Sequence, residues 1–131
     1  MEYIQYIKSI PSEEGRLAEM ALFRRQPDEA ERILLQSSPP LIYRAIKLNL
    51  TLFRWNRALE LAIKNRSHID TVLGYRQKHL IEFDKIETNP KFLQYDGQME
   101  INWDVIQAKE QQEVEDEKNR RSGAGGRTNK K

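Results

Sequence analysis

The stretch NLTLFRWNRALELAIKN, Asn49 to Asn65, decides how the chain folds. From Trp55 onward apolar residues at 55, 58, 59, 62 and 63 keep the three-and-four spacing that places side chains on one face of a helix. Arg57, Glu60 and Lys64 take the other side. The apolar face offers no nucleophile, no general base and no metal ligand, so its chemistry is burial. A large side chain such as Trp55 or Leu59 contributes roughly 1.5 to 3 kcal/mol on leaving water. Ala58 is small where two helices approach, and enlarging it is expected to overpack the contact.

The same period extends to both sides of this stretch. Ser12 can cap a helix whose apolar residues Leu17, Met20, Ala21 and Phe23 continue to Arg25, with Gly15 weakening its first turn. Pro27 suits a first helical position, and Asp28 and Glu29 favour the positive end of the helix dipole. That helix continues through Ala30, Ile33 and Leu34 to SSPP at 37–40, where the prolines end it. A third helix is expected over Leu41 to Phe53, a fourth over Trp55 to Lys64, and a fifth from His68 through Phe83. ETNPKFLQYDGQ reads as a turn-rich connector with one helical turn at Lys91 to Tyr95. Ile101, Trp103, Val105 and Ile106 then dock the start of a last helix.

A weak internal repeat appears at a shift of 28 residues, which sets Leu17 on Ala45, Met20 on Leu48, Leu22 on Leu50, Ala30 on Ala58 and Ile33 on Leu61. Each unit is a helix, a short joint and a second helix with Ala at the crossing. Such units cannot bury their apolar faces alone and form a core by stacking. The expected fold is therefore all-α, with stacked helical hairpins in a short, tetratricopeptide-like α-solenoid. Residues 1–108 form this domain, and 109–131 form a charged helix and a flexible basic tail, the last ten residues being open chain.

Composition narrows the function. The 131 residues suit one domain, and the absence of Cys excludes disulfides, thiolate catalysis and zinc ribbons. With 22 basic and 20 acidic residues the net charge of +2 gives no reason to expect nucleic acid. No apolar run approaches the roughly 20 residues of a membrane span. MEYIQYIKSIPS lacks the apolar core of a secretory leader, so a soluble protein of a reducing interior is expected.

No constellation for chemistry emerges. His68 and His79 lie eleven residues apart on one expected helix, about 16 Å of rise, too far to share a metal, and read as exposed or capping residues. Glu110, Glu113, Glu115, Asp116 and Glu117 read as a solvated helix face. GAGGRTNKK lacks the spacing of a phosphate loop. Lys118, Arg120, Arg121, Arg127, Lys130 and Lys131 read as a solubilising tail. Tyr3, Tyr6, Tyr43 and Tyr75 can line a peptide groove, although core or rim positions account better for most of them. We therefore expect no catalytic residue, no metal and no cofactor.

Several strings are more distinctive than the period: EYIQYIKSIPSEEGRLAEMALF, EAERILLQ, RALELAIKNRSHIDTVLGYRQKHL and INWDVIQAK. In order, and over residues 1 to 108, they resemble the carboxyl-terminal helical region of the WD-repeat subunit of intraflagellar transport complex B known as the eighty-kilodalton subunit. The resemblance is densest from Arg57 to Leu80, through Asp70, Thr71, Val72, Leu73, Tyr75, Arg76, Gln77 and Lys78. It implies a noncatalytic scaffold module in the cilium or flagellum, the basal body and the cytoplasm. The implied partners are other complex B subunits or a second copy of the chain, without nucleic acid or membrane insertion. The WD-repeat propellers of that family are not in this sequence, SSPP replaces a shorter Gly-containing link, and the Gly-rich basic ending differs. The alternative is a peptide-binding, tetratricopeptide-like adaptor unrelated to cilia. Its repeats would run near about 34 residues, with a basic clamp in the groove; here Arg24, Arg25, Arg54 and Arg57 fall at the joints.

Overall fold

The computed structural model describes the backbone at residues 2–95 and 97–126, and the side chains at 5–95 and 97–119. Within them the chain forms eight helices and no strand: α1 (Glu2–Ser9), α2 (Glu13–Phe23), α3 (Pro27–Gln36), α4 (Ile42–Thr51), α5 (Trp55–Asn65), α6 (Ile69–Glu82), α7 (Pro90–Leu93) and α8 (Trp103–Gly126). Helix α1 is an element that the spacing argument did not anticipate. The expected flexible stretch divides, with Ser122 to Gly126 belonging to α8 and 127–131 lying outside the described residues. Two compact units form, Met1–Ala45 with Glu110–Lys131, and Ile46–Lys109.

In the first unit, α2 packs against both α1 and α3. Ser12 caps α2 as expected, its hydroxyl accepting from Gly15 N–H at 3.1 Å. The buried face of α2 is Gly15, Ala18 and Ala21, whereas Leu17, Met20 and Phe23, read above as its apolar stripe, are exposed. Close approach to neighbouring helices admits only small residues on the inner face. The larger ones are left outside. Gly15 shows how tight the fit is: a Cβ there would stand 2.6 Å from Ser12 Oγ and 2.8 Å from Ile10 Cγ2. At the end of α3, Leu41 N–H returns to the Leu34 carbonyl at 2.9 Å and the buried Ser37 hydroxyl donates to the Pro39 carbonyl at 2.8 Å, so SSPP is a closed turn.

In the second unit, α5 packs against α6 and buries Ala58, Leu59, Leu61 and Ala62. Ile63 points outward, and Leu61 takes the place expected for it. Helix α6 buries Thr71, Val72, Leu73 and Gly74. A Cβ on Gly74 would meet Ile106 Cδ1 at 2.9 Å and Trp103 Cζ2 at 3.3 Å, so this glycine lets the start of α8 close on α6. Ile106 is fully buried there, and Trp103 meets Tyr75 edge-on at 5.1 Å. Asn89 caps the short α7 by accepting from Lys91 N–H at 3.0 Å, and Phe92 is buried.

The 28-residue shift reappears in the backbone. After α2, Arg25 is left-handed with φ 61, Arg25 N–H bonds to the Leu22 carbonyl and Gln26 N–H to the Ala21 carbonyl. After α4, Phe53 has φ 60, Phe53 N–H bonds to the Leu50 carbonyl and Arg54 N–H to the Asn49 carbonyl. Both are Schellman ends, in which one left-handed residue satisfies the last carbonyls of a helix. Arg66 after α5 and Asp84 after α6 repeat the geometry, again without glycine. Buried Ala18, Ala21, Ala30 and Leu34 correspond at the same shift to buried Ile46, Asn49, Ala58 and Ala62.

Candidate functional site

The second unit carries two concave surfaces among the described residues. A groove of about 330 Å³ is bounded by α6, the connector after it, α7 and the stretch leading into α8, with Leu73, Leu80, Phe92 and Ile101 among its walls. Its lip holds Ile86, Leu93 and Met99, which are 83%, 46% and 37% exposed. Apolar side chains this open on a connector mark a surface suited to contact.

Arg76 organises the groove. Its guanidinium lies 5.4 Å from the Trp55 ring centre and 5.3 Å from that of Phe92. It donates from Nε and Nη2 to the two oxygens of Glu87 at 3.0 and 2.9 Å. Glu87 also accepts from Asn89 N–H at 2.9 Å, so one carboxylate ties α6 to the N-terminus of α7. Burial pushes the Glu87 carboxyl up, but the Arg76 hydrogen bonds, the Asn89 and Thr88 amides and the Arg76 charge together hold it below the usual carboxylate range. Beside this pair, His79 sits among aromatic rings, with centroids 5.1 Å from Phe53, 5.1 Å from Trp55 and 4.7 Å from Phe83.

A second cleft of about 440 Å³ lies over α5 and α7, lined by residues that include Leu59, Glu60, Ile63, Lys64, Lys91 and Tyr95. Asn89 Nδ2 donates to Asn56 Oδ1 at 2.7 Å and joins the two walls.

The residues considered for chemistry are placed as follows. His68 is buried at the left-handed N-cap of α6 without a side-chain capping bond, and its Nδ1 lies 3.5 Å from the Thr71 hydroxyl. His79 is half-buried in the aromatic cluster, so neither histidine is exposed, and of the exposed-or-capping reading only the N-cap position of His68 remains. Among the described residues no three of His, Asp and Glu are gathered to hold a metal ion. No helix of the described residues is long and apolar enough to cross a membrane.

On α8, Asp116 accepts from Gln112 Nε2 at 2.8 Å and Glu115 stands 3.8 Å from Lys118 Nζ, as a solvated face would. Glu110 is taken by the Tyr43 hydroxyl at 2.9 Å. Glu117 corrects the solvated reading: it is 7% exposed, because it accepts from Arg44 Nε at 2.6 Å and from the Ser12 N–H and hydroxyl. Of the tyrosines, Tyr6 is exposed and Tyr75 receives Lys47 Nζ on its hydroxyl at 2.9 Å; none of Tyr6, Tyr43 and Tyr75 lines either cleft. The Tyr3, Arg120 and Arg121 side chains, and Arg127, Lys130 and Lys131, lie outside the described residues. The tyrosine that does line both clefts is Tyr95, in the connector that reads as turns. The signal for it was present in Asn89, Pro90 and Phe92, a cap, a first-turn proline and an apolar anchor.

The family model for the IFT80/172/WDR35/WDR19 TPR domain matches residues 1–119. The chain belongs to this TPR-domain family. Its relatives include the intraflagellar transport protein 80 homologs of Mus musculus and Rattus norvegicus, each 46% identical over 122 residues, or 93% of this chain. The chain spans 15% of the length of each relative. No solved structure matches it. Within this family's matched span lie both clefts and the Glu117 contacts, so the TPR domain includes the α8 turn that carries Glu117.

Proposed function

We propose that the chain is a noncatalytic interaction module of an intraflagellar transport complex B subunit, working in the cilium or flagellum and at the basal body. In this reading residues 1–108 provide the hairpin scaffold and 109–131 a charged extension whose buried carboxylate braces it. The observation that carries the reading is the lip of the α6–α7 groove, where Ile86, Leu93 and Met99 stand in water beside the two-bonded Arg76–Glu87 pair. Membership of the TPR-domain family and likeness to proteins named for intraflagellar transport support the setting. The contact made through the lip is to another complex B subunit or to a second copy of the chain.

The test is affinity purification of the tagged full chain from ciliated cells, followed by quantitative mass spectrometry, with light scattering of the purified chain alongside. Complex B subunits should co-purify with the parent and be depleted with Ile86→Asp and Leu93→Asp, both at exposed positions. If neither recovery nor the self-associated fraction changes in the double variant, the lip is not the assembly surface.

A further inference from the structure

The cleft over α5 and α7 differs from the groove beside it in its charge. Its floor is apolar, with Leu59 buried and Ile63 42% exposed. Two ammonium groups, Lys64 and Lys91, stand at its rim, and neither has a carboxylate partner among the described residues. Glu60 lines the same cleft, but Arg57 Nη1 holds it at 3.1 Å. In contrast, Arg32 pairs with Glu29 and Lys109 with Asp70.

We infer that this cleft docks an acidic segment of a partner protein, seated by one aliphatic or aromatic side chain on Leu59 and Ile63 and held by carboxylates at Lys64 and Lys91. The chemistry of the occupant follows from the walls. An apolar floor rewards a hydrophobic anchor. Two unneutralised ammonium groups reward carboxylates placed about one residue to either side of that anchor, giving register and association rate more than affinity. Asn56, Gln94 and the Tyr95 hydroxyl supply neutral donors at the same rim. A polyphosphate strand fits less well, because Glu60 faces it and the floor offers nothing to a sugar-phosphate backbone. The inference rests on the reading of the chain as an interaction module and adds a second contact surface with its own partner chemistry.

The experiment is fluorescence anisotropy of the full chain with a fluorescein-labelled peptide of sequence EDELFDEE. The comparison ligands are the charge-inverted peptide KRKLFKRK and a single-stranded oligonucleotide. Binding of the acidic peptide with a Kd of about 1 to 100 micromolar is expected, with the inverted peptide not bound. Charge reversal of both lysines, Lys64→Glu with Lys91→Glu, should weaken it at least about tenfold, and Ile63→Ser about threefold. Lys85→Glu, a basic residue outside the cleft, should leave it within about twofold. Thermal melts check that these exposed substitutions leave the chain folded. The inference is overturned if the acidic peptide does not bind, if Lys85→Glu weakens it as much as the reversal at 64 and 91, or if the oligonucleotide binds more tightly. Because Ile86 and Leu93 are not at this cleft's apolar floor, Ile86→Asp with Leu93→Asp should spare peptide binding. Loss of complex B co-purification with retained peptide binding, or the reverse, thus separates failure of one proposal from failure of the other.

Discussion

Glu117 and Ser12 are 105 residues apart in sequence and meet in the structure, the Ser12 N–H donating to Glu117 Oε2 at 3.2 Å while the Ser12 hydroxyl donates to the same atom. Arg44 Nε completes the set at 2.6 Å on the other oxygen. A buried carboxylate in such a site holds the entry to α2 and the start of α4 to α8. Removing it leaves a partly buried guanidinium without its counterion, which costs about 3 to 5 kcal/mol when fully enclosed. Arg44 keeps some contact with water, its side chain being 23% exposed, so the lower end of that range applies. Urea unfolding of Glu117→Ala should show a midpoint drop corresponding to about 3 kcal/mol. A loss below about 0.5 kcal/mol, the level of an ordinary surface substitution, would place Glu117 in solvent.

Ala58 is fully buried on α5 and has no room for a larger side chain. We expect Ala58→Leu to cost about 1 to 3 kcal/mol by overpacking. A thermal scan decides it, since a variant melting with the parent would show that this helix face has no close neighbour.

Arg25 holds a left-handed conformation, φ 61, on an exposed joint. An L-residue with a Cβ is disfavoured there by about 1 kcal/mol relative to glycine. Arg25→Gly should therefore stabilise the chain by up to about 1 kcal/mol, less what the more flexible unfolded chain takes back. Phe53→Gly at the equivalent joint should not, because Phe53 also meets Trp55 and His79. Paired chemical denaturation curves test the opposite signs.

Glu87 gives a pH dependence of known sign. Its carboxyl titrates lower in the folded chain than in the unfolded one, so the unfolded state binds the proton more tightly. The stabilisation is fully present above the ordinary glutamate range and is lost as pH falls through the depressed native value. Glu87→Gln should flatten that acid limb while lowering stability at neutral pH, since Arg76 would lose its charged partner. Unfolding free energy measured across the acid range, for parent and variant, provides the comparison.

Much of the helix order was legible because apolar spacing and caps are local. Trp55 to Lys64 nearly coincides with α5, and Ser12 and Pro27 start helices where their chemistry says they should. The inward face of α2 was not legible. Its large residues Leu17, Met20 and Phe23 outscore Gly15, Ala18 and Ala21 in hydrophobicity, and only the closeness of the neighbouring helices reverses the choice. The groove escaped for a different reason. Arg76 and Glu87 are eleven residues apart across a connector with no period, and nothing local announces that they will pair. Glu117 was hidden in a run of like residues, where its neighbours Glu115 and Asp116 do face water.

The first unit is assembled from both ends of the chain, with residues 46–109 intervening. Residues 46–109 are therefore synthesised before the carboxylate of Glu117 exists to meet Ser12 and Arg44. A stop after Lys109 would keep the residues of the groove and leave Ser12 and Arg44 without Glu117, so this truncation should destabilise residues 1–45 more than residues 46–109.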